Sequence, residues 1–534
     1  MPMPSPILTR YETHYGARLV RCYVERPSHI DAMFQAAVAR APQRAAVIED
    51  DGQVIAYAPF ARQVDAIAGN LAAAGLGSGD RIAIVLGNRA AFLQLVLACC
   101  RLGAIAVPIG TRQRKPELAF MLAQCGAKML AIEASLAAEI PDAQDVPRLE
   151  RIYAVAGAIA GGRAFEDLLA LPPAPPPPCP VREDDTAFIL YTSGTTGRPK
   201  GAMLSHFGVI QSCIHFETIY DLRDGDRTIL AVPASHVTGL VAVLLSLVRI
   251  AGTTALMLEF KAKDFLARAE TTAMTYGILV PAMYNLCLLQ PDLARYRLGQ
   301  WRIGAFGGAP MPESTITAFG AAFPNLILCN SYGATETTSP TSLMPLGMGP
   351  THLDTVGKVV TCGEVRIMDE AGRELAPGAP GEIWIAGPMV VAGYWDNPAA
   401  NAANFVAGFW KSGDIGSLDG EGYLRVLDRR KDMINRAGFK VYSVEVENVL
   451  AQHPAVIESA VIGHPDAVLG ERVQAVVVAH PGSFDAAALR AFCAQRLADY
   501  KVPELIAPLD RPLPRNANGK VAKNELRRLL ADGS

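Results

Sequence analysis

The sequence lacks the patterns that mark several large classes of protein. Its ten cysteines include no CxxC pair and no Cys/His cluster at zinc spacing, which argues against a structural zinc site. It has no excess of basic charge either, since 49 Lys and Arg oppose 52 Asp and Glu. The resulting formal net charge of −3 argues against nucleic acid as the main partner. Scattered cysteines in a long chain indicate a reducing compartment, so we expect a cytoplasmic protein.

The sequence also lacks clear targeting and membrane segments. Residues 1–16 contain no basic segment followed by an apolar core, so we expect no signal peptide. One apolar stretch, residues 237–258, has the length of a membrane span. However, Arg249 lies near its middle and the AGTT run at 251–254 would break it. We therefore predict a buried helix, a turn and a short buried strand here, and no membrane span.

What the sequence does contain is a regular alternation of strand and helix patterns. A length of 534 residues predicts roughly two to four domains. Short apolar runs separated by helical patterns predict βαβ units and a mainly parallel sheet. A more β-rich region begins around residues 382–388. The predicted strands are 81–88, 104–110, 128–133, 151–157 and 326–333, with a helix at 90–103.

The last hundred or so residues follow a different pattern. They predict a compact α+β unit with its own core, formed by a helix, two strands and a second helix. We place the boundary in the charged run DRRKD: a large N-terminal domain at 1–428, a hinge at 429–432 and a small mobile C-terminal domain at 433–534. The proline-rich run at 171–180 predicts a stiff surface connector within the large domain. The predicted C-terminal elements are 444–454, 458–465, 472–480 and 485–497.

A loop rich in glycine and threonine, TSGTTGRPKG, occupies residues 192–201. It is too polar for a strand and too rich in glycine and proline for a helix. Its spacing departs from the Walker A pattern, so a P-loop fold is not indicated. Free backbone N–H groups, hydroxyls and the Lys200 ammonium can nevertheless hold phosphate oxygens. The segment taken alone is compatible with a phosphate-binding loop or with an ordinary surface loop.

Further motifs decide between these alternatives. The sequence resembles the adenylate-forming superfamily of acyl-CoA synthetases, adenylation domains and beetle luciferases, and is closest to fatty or aromatic acid:CoA ligases. The resemblance rests on five motifs in the family's order, spread between residues 191 and 526. They are YTSGTTGRPKGAMLSH (191–206), FGGAPMP (306–312), NSYGATETTSP (330–340), the run from KSGD to VEVE (411–447) and PRNANGKVAKNEL (514–526).

The resemblance implies a binding site for ATP. The 192–200 loop would hold the β- and γ-phosphates, Tyr332 would stack on adenine, and Asp414 would accept the ribose hydroxyls with Arg429 nearby. An ionised aspartate only accepts hydrogen bonds, which suits a vicinal diol. The expected nucleotide-binding residues are Thr192, Ser193, Gly194, Thr195, Thr196, Gly197, Lys200, Gly308, Ala309, Pro310, Tyr332, Asp414 and Arg429.

Four residues are expected to act in catalysis. Thr335 would contact the α-phosphate, and Glu336 would be the Mg²⁺ carboxylate. By resemblance His236 lies between the acyl carboxylate and the α-phosphate, although a lone histidine is more often structural. Lys520 would bridge the two anions that adenylation brings together, and the competing interpretation is a solvated lysine in a basic tail.

The family performs two half-reactions at one site by rotating its small domain. Lys431 occupies the hinge position, and Gly438 would leave room for the pantetheine arm of coenzyme A. Two departures bear on the acceptor: many acyl-CoA ligases have glycine where this chain has Ala437, and proline where it has Ser443. The thiol acceptor is therefore predicted less firmly than the adenylation.

The acid should bind near His236, beside Gly307 and Gly333, along the helix at 239–249. The SHVTG segment lacks the aspartate that would pair an amino-acid ammonium, so we expect an apolar acid, fatty or aromatic. The leading hypothesis is an acid:CoA ligase using Mg-ATP. The alternatives are a ligase that loads a separate acyl carrier protein and a nucleotide-binding protein without catalysis. Luciferase-like oxidation of the adenylate shares every motif and is disfavoured only on base rates. The oligomeric state stays open.

Overall fold

The computed structural model describes residues 7–178, 181–192, 198–515 and 521–532. The strands are β1 (Thr9–His14), β2 (Arg18–Tyr23), β3 (Ala45–Ile48), β4 (Val54–Ala56), β5 (Arg81–Val85), β6 (Ile105–Pro108), β7 (Met129–Glu133), β8 (Arg151–Val155), β9 (Arg163–Ala164), β10 (Thr186–Thr192), β11 (Lys200–Ser205), β12 (Arg227–Leu230), β13 (Thr253–Leu256), β14 (Tyr276–Leu279), β15 (Ile303–Gly307), β16 (Ile327–Tyr332), β17 (Ser342–Leu343), β18 (Lys358–Val359), β19 (Glu364–Met368), β20 (Gly381–Ala386), β21 (Phe405–Val406), β22 (Phe409–Leu418), β23 (Leu424–Arg429), β24 (Ile434–Arg436), β25 (Phe439–Val441), β26 (Val456–Asp466), β27 (Gly470–Ala479) and β28 (Leu505–Pro508).

The α-helices are α1 (Ile30–Arg40), α2 (Tyr57–Ala73), α3 (Ala90–Leu102), α4 (Lys115–Cys125), α5 (His206–Ile219), α6 (Ser246–Arg249), α7 (Ala262–Thr271), α8 (Pro281–Leu288), α9 (Glu313–Ala322), α10 (Pro398–Asn404), α11 (Ser443–Leu450), α12 (Ala486–Ala494) and α13 (Lys523–Asp532). A π-helical segment, Thr238–Leu245, precedes α6. Short 3₁₀ turns lie at Ala134–Glu139, Phe165–Leu169, Leu293–Arg295, Thr335–Thr337, Gly349–Thr351 and Asp499–Lys501.

The first large sheet has the order β11-β10-β6-β5-β7-β8-β9. Its centre is parallel, with β5 paired to both β6 and β7. Helix α3 connects β5 to β6, is buried on nearly every side and ends at Gly103, which adopts the left-handed conformation with φ of 69°. An apolar helix of this kind belongs between layers of a core rather than on a surface. The predicted βαβ units are confirmed, with strands a few residues shorter than the apolar runs.

Two further sheets position the candidate site. One has the order β12-β13-β3-β4, and the other has the order β14-β15-β16-β17-β18 with β14, β15 and β16 parallel. The apolar stretch at 237–258 forms the π-helical segment, α6, a turn and β13, as the sequence predicts. None of the described helices is both long and apolar enough to cross a membrane.

A mainly antiparallel sheet follows in the chain, with the order β19-β20-β22-β21 and with β23 added alongside β22. This is the β-rich region that the sequence predicts. The pairing of β22 with β23 sets Asp414 opposite Arg429. Two residues separated by fifteen positions in the chain are thereby held side by side.

The C-terminal residues form their own sheet, with the order β25-β24-β27-β26 and with β28 beside β27. Helices α11 and α12 pack on it around a separate hydrophobic cluster that includes Val446, Val461 and Leu489. The predicted fold class, parallel-sheet subdomains with a β-rich subdomain and a small α+β unit, is confirmed. The exact domain boundary and the hinge remain predictions.

A partly buried polar network joins this C-terminal unit to the strand before it. The Lys523 ammonium lies 2.8 Å from a Glu447 carboxylate oxygen and donates to the Ser443 hydroxyl at 2.6 Å. The Ser443 backbone N–H donates to the carboxylate of Asp428, near the end of β23. Burial raises the pKa of both Asp428 and Glu447, and the ammonium opposes that shift. The cation is therefore what allows two carboxyls to lie in this place.

The N-terminal hairpin, β1 with β2, was not among the predicted elements. Arg18, the first residue of β2, donates through its guanidinium to the backbone carbonyls of Val390 at 3.0 Å and Val391 at 3.1 Å. The Val391 N–H in turn donates to the carbonyl of Glu336. The hairpin thus holds a loop that contacts the segment on which the candidate site is built.

Candidate active site

The glycine- and threonine-rich loop connects two antiparallel strands. Thr192 ends β10 and Lys200 begins β11, and the two residues are paired in the ladder. Ser193, Gly194, Thr195, Thr196 and Gly197 lie outside the described residues. The Lys200 ammonium lies 5.1 Å from the centroid of the Tyr394 ring. The described ends of the loop therefore form a hairpin, unlike the strand-to-helix turn of a Walker A loop.

The predicted adenine-side residues follow two neighbouring parallel strands. Gly307 ends β15 and pairs with Ser331 near the end of β16. A Cβ atom at Gly307 would lie 2.3 Å from the Ser331 carbonyl oxygen, so the strands approach here only because the residue is glycine. Gly308, Ala309 and Pro310 continue from this point and are exposed, and Gly308 has φ of +79°. The segment thus begins beside Tyr332, as the resemblance implies.

Thr335 and Glu336 lie on a tight 3₁₀ turn after β16, and both are buried. The turn folds back so closely that a Cβ atom at Gly333 would lie 1.4 Å from the Ser339 carbonyl oxygen. Thr338 and Ser339 have positive φ values of 49° and 97°. Non-glycine residues held in such conformations cost free energy and concentrate at functional sites.

The Glu336 carboxylate accepts two hydroxyl donors on the same oxygen. Thr192 donates to Oε1 at 3.1 Å and Tyr394 donates to Oε1 at 3.0 Å. Among the described residues the only group of three potential metal-ligating side chains is Glu12, His14 and Cys22, which lies in the N-terminal hairpin, and Glu336 is not in it. A single carboxylate with a second oxygen to offer fits Mg²⁺, which commonly takes one or two carboxylates together with phosphate oxygens.

A second carboxylate, Asp414, lies beside the aromatic ring of the same segment. The Tyr332 hydroxyl donates to Asp414 Oδ2 at 2.6 Å, and Arg429 Nε lies 3.6 Å from Oδ1. Burial, and then the Asp414 carboxylate, raises the pKa of Tyr332 well above its usual value. The phenol therefore stays protonated and acts as a donor. The structure brings Tyr332, Asp414 and Arg429 together, and their roles towards ribose and adenine stay predictions.

His236 follows β12 and is half-buried. Its Nδ1 lies 3.3 Å from the Thr238 hydroxyl and 3.4 Å from the Thr238 backbone nitrogen. The preceding segment is fixed by Asn88, whose amide donates to the carbonyls of Leu230, Val232 and Met257 at 3.0 to 3.1 Å and accepts from the Ala234 N–H at 2.8 Å. The structure thus holds His236 at the start of the apolar π-helical segment.

The remaining predicted residues lie in the C-terminal part of the chain. Lys431 is exposed in the turn after β23. Gly438 lies in the turn between β24 and β25 with φ of +89°, and no heavy atom of the described residues comes within 4 Å of the place of a Cβ. Its neighbour Ala437 also has a positive φ, of 52°, where many acyl-CoA ligases have glycine. Lys520 lies outside the described residues. No described contact links Lys431 or Gly438 with Glu336 or Asp414, so their roles stay predictions.

Sequence reasoning missed several residues that support the site, namely Tyr394, Asn88 and Arg18. Tyr394 contacts Glu336 across 58 residues of chain, and Asn88 contacts residues more than 140 positions away. The one available signal was the AGYWDNP run at 392–398, where an aromatic pair follows a glycine and precedes a helix start. Nothing in that run indicates contact with a carboxylate.

Two family models match the chain. The model described as AMP-binding enzyme matches residues 34–395, and the model described as AMP-binding enzyme C-terminal domain matches residues 445–520. These regions contain all five motifs in whole or in part. The second match ends at Lys520.

Individual relatives span nearly the whole chain. A feruloyl-CoA synthase from an Amycolatopsis species is 36% identical over 494 residues, covering 92% of this chain and 97% of that protein. A long-chain-fatty-acid–CoA ligase from Mycobacterium tuberculosis is 33% identical over 494 residues, covering 91% and 95%. The solved structure of o-succinylbenzoate coenzyme A synthetase from Bacillus subtilis, in complex with ATP and magnesium ion, has a TM-score of 0.80 and 31% identity, covering 93% and 99%.

Proposed function

The chain belongs to the AMP-binding enzyme family, and we propose that it is an acid:CoA ligase that activates an apolar carboxylic acid. It forms an acyl-AMP from the acid and Mg-ATP, releases pyrophosphate, and transfers the acyl group to coenzyme A. We further propose that it acts in the cytoplasm, in the metabolism of fatty or aromatic acids.

One observation carries the proposal. Residues 332–336 present two carboxylates in different ways: Glu336 belongs to the segment, and Asp414 accepts the hydrogen bond of the Tyr332 hydroxyl. Glu336 offers a hard oxygen donor for a cation beside the phosphate loop, and Asp414, bound by Tyr332, offers an acceptor for a diol. A nucleoside triphosphate with its cation needs both groups, because its metal ion takes a carboxylate such as Glu336 and its ribose diol takes an acceptor such as Asp414.

In the first half-reaction a carboxylate oxygen of the acid attacks the α-phosphorus of ATP, and the bond from this phosphorus to the bridging oxygen breaks. The bridging electrons leave with pyrophosphate. In this proposal Thr335 donates to the α-phosphate, and Lys200 donates to the departing phosphates. His236 orients the acid, and Lys520, outside the described residues, supplies a cation between the two reacting anions.

In the second half-reaction the thiolate of coenzyme A attacks the acyl carbon, and the bond to the AMP oxygen breaks. We propose that the unit at 433–534 turns about residues 429–432 between the two steps, with Lys431 as pivot and Gly438 beside the pantetheine arm. Gly438 supports this assignment because, in the part of the chain that the structure describes, no atom lies within 4 Å of the place of its missing side chain.

The apolar class of the acid is proposed from the π-helical segment Thr238–Leu245. All of its residues from Gly239 onward are buried and none carries a charge. The nearest cation in sequence, Arg249, is engaged by Glu217. An amino-acid ammonium would find no carboxylate on this segment and would be costly to bury.

The proposal is tested by measuring pyrophosphate release from Mg-ATP with fatty and aromatic acids, with and without coenzyme A. The expected result is turnover that requires coenzyme A, with an acyl-CoA and AMP identified by mass spectrometry. Adenylate without thioester would instead assign the acyl group to a carrier protein. Binding of Mg-ATP without pyrophosphate release from any acid of either class would contradict the ligase.

A further inference from the structure

Tyr394 lies where three parts of the candidate site meet, and none of the five motifs includes it. Its backbone forms an isolated bridge with Ala202 in the strand after the phosphate loop. Its N–H donates to the Asn401 side-chain oxygen at 2.6 Å, and the Asn401 amide donates back to the Tyr394 carbonyl at 3.1 Å. Gly393 has no room for a side chain against Asn401. The backbone of Tyr394 is therefore fixed on both sides.

The side chain of Tyr394 is 3% exposed and each part of it has a partner. The hydroxyl donates to Glu336 Oε1 at 3.0 Å and accepts from the Trp410 indole N–H at 3.4 Å. The Lys200 ammonium lies over the ring, 5.1 Å from its centroid, at a distance where a cation is attracted to an aromatic face. The same residue thus contacts the end of the phosphate loop, the metal carboxylate and the strand β22 that carries Asp414.

The hydrogen bonds to Glu336 engage only one of its two carboxylate oxygens, among the contacts that the described residues make. Both described hydroxyl donors, from Thr192 and Tyr394, reach Oε1, and among the described residues no donor reaches Oε2. Two donors on one oxygen fix the carboxylate plane. They also leave the other oxygen, which keeps its lone pairs, to meet a cation.

We propose that Tyr394 is a positioning residue for the metal carboxylate. It holds Glu336 so that Oε2 is presented to the cation of Mg-ATP, and its ring holds the Lys200 ammonium in register with that carboxylate. The proposal rests on the proposed function, because it concerns the same Mg-ATP site. Its role differs from that of a core tyrosine, since its effect passes through Glu336.

The test is the substitution Tyr394→Phe, which keeps the ring and removes only the hydroxyl. The measurement is equilibrium binding of ATP by calorimetry in the absence of any acid, over a series of Mg²⁺ concentrations and in excess EDTA. Loss of a hydrogen bond to a charged group predicts about a tenfold rise in the Mg²⁺ concentration for half-maximal binding. Binding in EDTA should be unchanged.

The matched control is Tyr284→Phe, which removes an equally buried hydroxyl that donates to the Ala305 carbonyl at 2.9 Å. It should leave the Mg²⁺ dependence unchanged. Thr192→Val removes the other donor to Oε1 and should shift the Mg²⁺ dependence in the same direction. If Tyr394→Phe fails to fold, Thr192→Val is compared with and without Glu336→Gln: a shift that persists in the Glu336→Gln background would overturn the proposal that the Oε1 donors act through this carboxylate.

A double-mutant comparison separates positioning from general support. In a Glu336→Gln background, Tyr394→Phe should add no further shift, because the carboxylate through which it acts is gone. An additive shift, or weaker ATP binding in EDTA, would overturn the proposal. If Glu336→Gln itself leaves the Mg²⁺ dependence unchanged, the assignment of the metal carboxylate in the proposed function fails, and this proposal fails with it.

Discussion

Replacing Gly333 by alanine is expected to disable adenylation while leaving the rest of the molecule folded. The new Cβ atom would lie 1.4 Å from the Ser339 carbonyl oxygen, and real Cβ atoms essentially never come closer than 3.0 Å to such an atom. The turn between the two residues must therefore open by about 1.6 Å, because close-packed interiors do not tolerate overlap. Glu336 lies inside this turn, so it moves when the turn opens.

The size of the effect follows from that displacement. A misplacement of about 1 Å at a reacting group costs on the order of 100-fold in rate, so we expect kcat/KM for pyrophosphate release to fall by about that factor. Thr338 and Ser339 already have positive φ values, so the turn has little freedom to relax in another direction.

The assay compares Gly333→Ala with Gly320→Ala in pyrophosphate release and in thermal unfolding. Gly320 lies in α9, and a Cβ atom there would meet no atom of the described residues within 4 Å. Alanine in a helix interior is favoured over glycine by about 0.5–1 kcal/mol, so this control should keep full activity. A Gly333→Ala enzyme with kcat/KM within about threefold of the unsubstituted protein would refute the reasoning.

Three other predictions concern stability and reactivity. Lys523→Met should lower the free energy of unfolding by about 3 kcal/mol at pH 7, whereas the exposed Lys263→Met should not. Without the ammonium the pKa of Glu447, already raised by burial, rises further, so the folded state gains from protonation as pH falls. Urea unfolding should therefore show that Lys523→Met lowers the free energy of unfolding less at pH 4 than at pH 7. An equal decrease at both pH values would contradict this account. Burial lowers the pKa of His215 to about 3, so the unfolded chain takes up its proton first as pH falls below about 6.5. The free energy of unfolding should fall as the pH is lowered from about 6.5 to about 3, and His215→Leu should make this fall less steep. An unchanged dependence on pH would show that His215 does not cause the fall. The nine described cysteines are all buried, so a Cys179→Ser variant should react with Ellman's reagent only on unfolding, and fast reaction of the native protein would contradict their burial.

The parts of the fold that the sequence predicts well are those set by local pattern. The run AAFLQLVLACCRLG forms α3 almost to the residue. Both signals are local to the run: its residues are apolar on nearly every side of the helix, and its terminal glycine ends the helix. The strands on either side end sooner than their apolar runs, since pairing with neighbours, rather than hydrophobicity, decides where a strand stops.

Residues of the candidate site were named from the sequence only where the family resemblance assigns them a role, as it does for Tyr332 and Asp414, which are 82 positions apart. Thr335 and Glu336 come from one run of letters, and the structure keeps them in one turn. Tyr394 and Asn88 act over 58 and more than 140 residues, through single side chains inserted between distant segments. Such contacts depend on packing in three dimensions, and no periodicity in the chain encodes them.

The N-terminal hairpin has an implication for how this chain and its relatives diverge. The AMP-binding enzyme match begins at residue 34, yet Arg18 binds the carbonyls of the loop whose Val391 N–H holds the Glu336 backbone. A relative that lost or replaced the hairpin would need another donor for those two carbonyls. Because the two acceptors are backbone carbonyls, which every residue offers, the side chains of the 389–391 loop can change freely while position 18 must keep a donor, although more than 370 residues separate them in the chain.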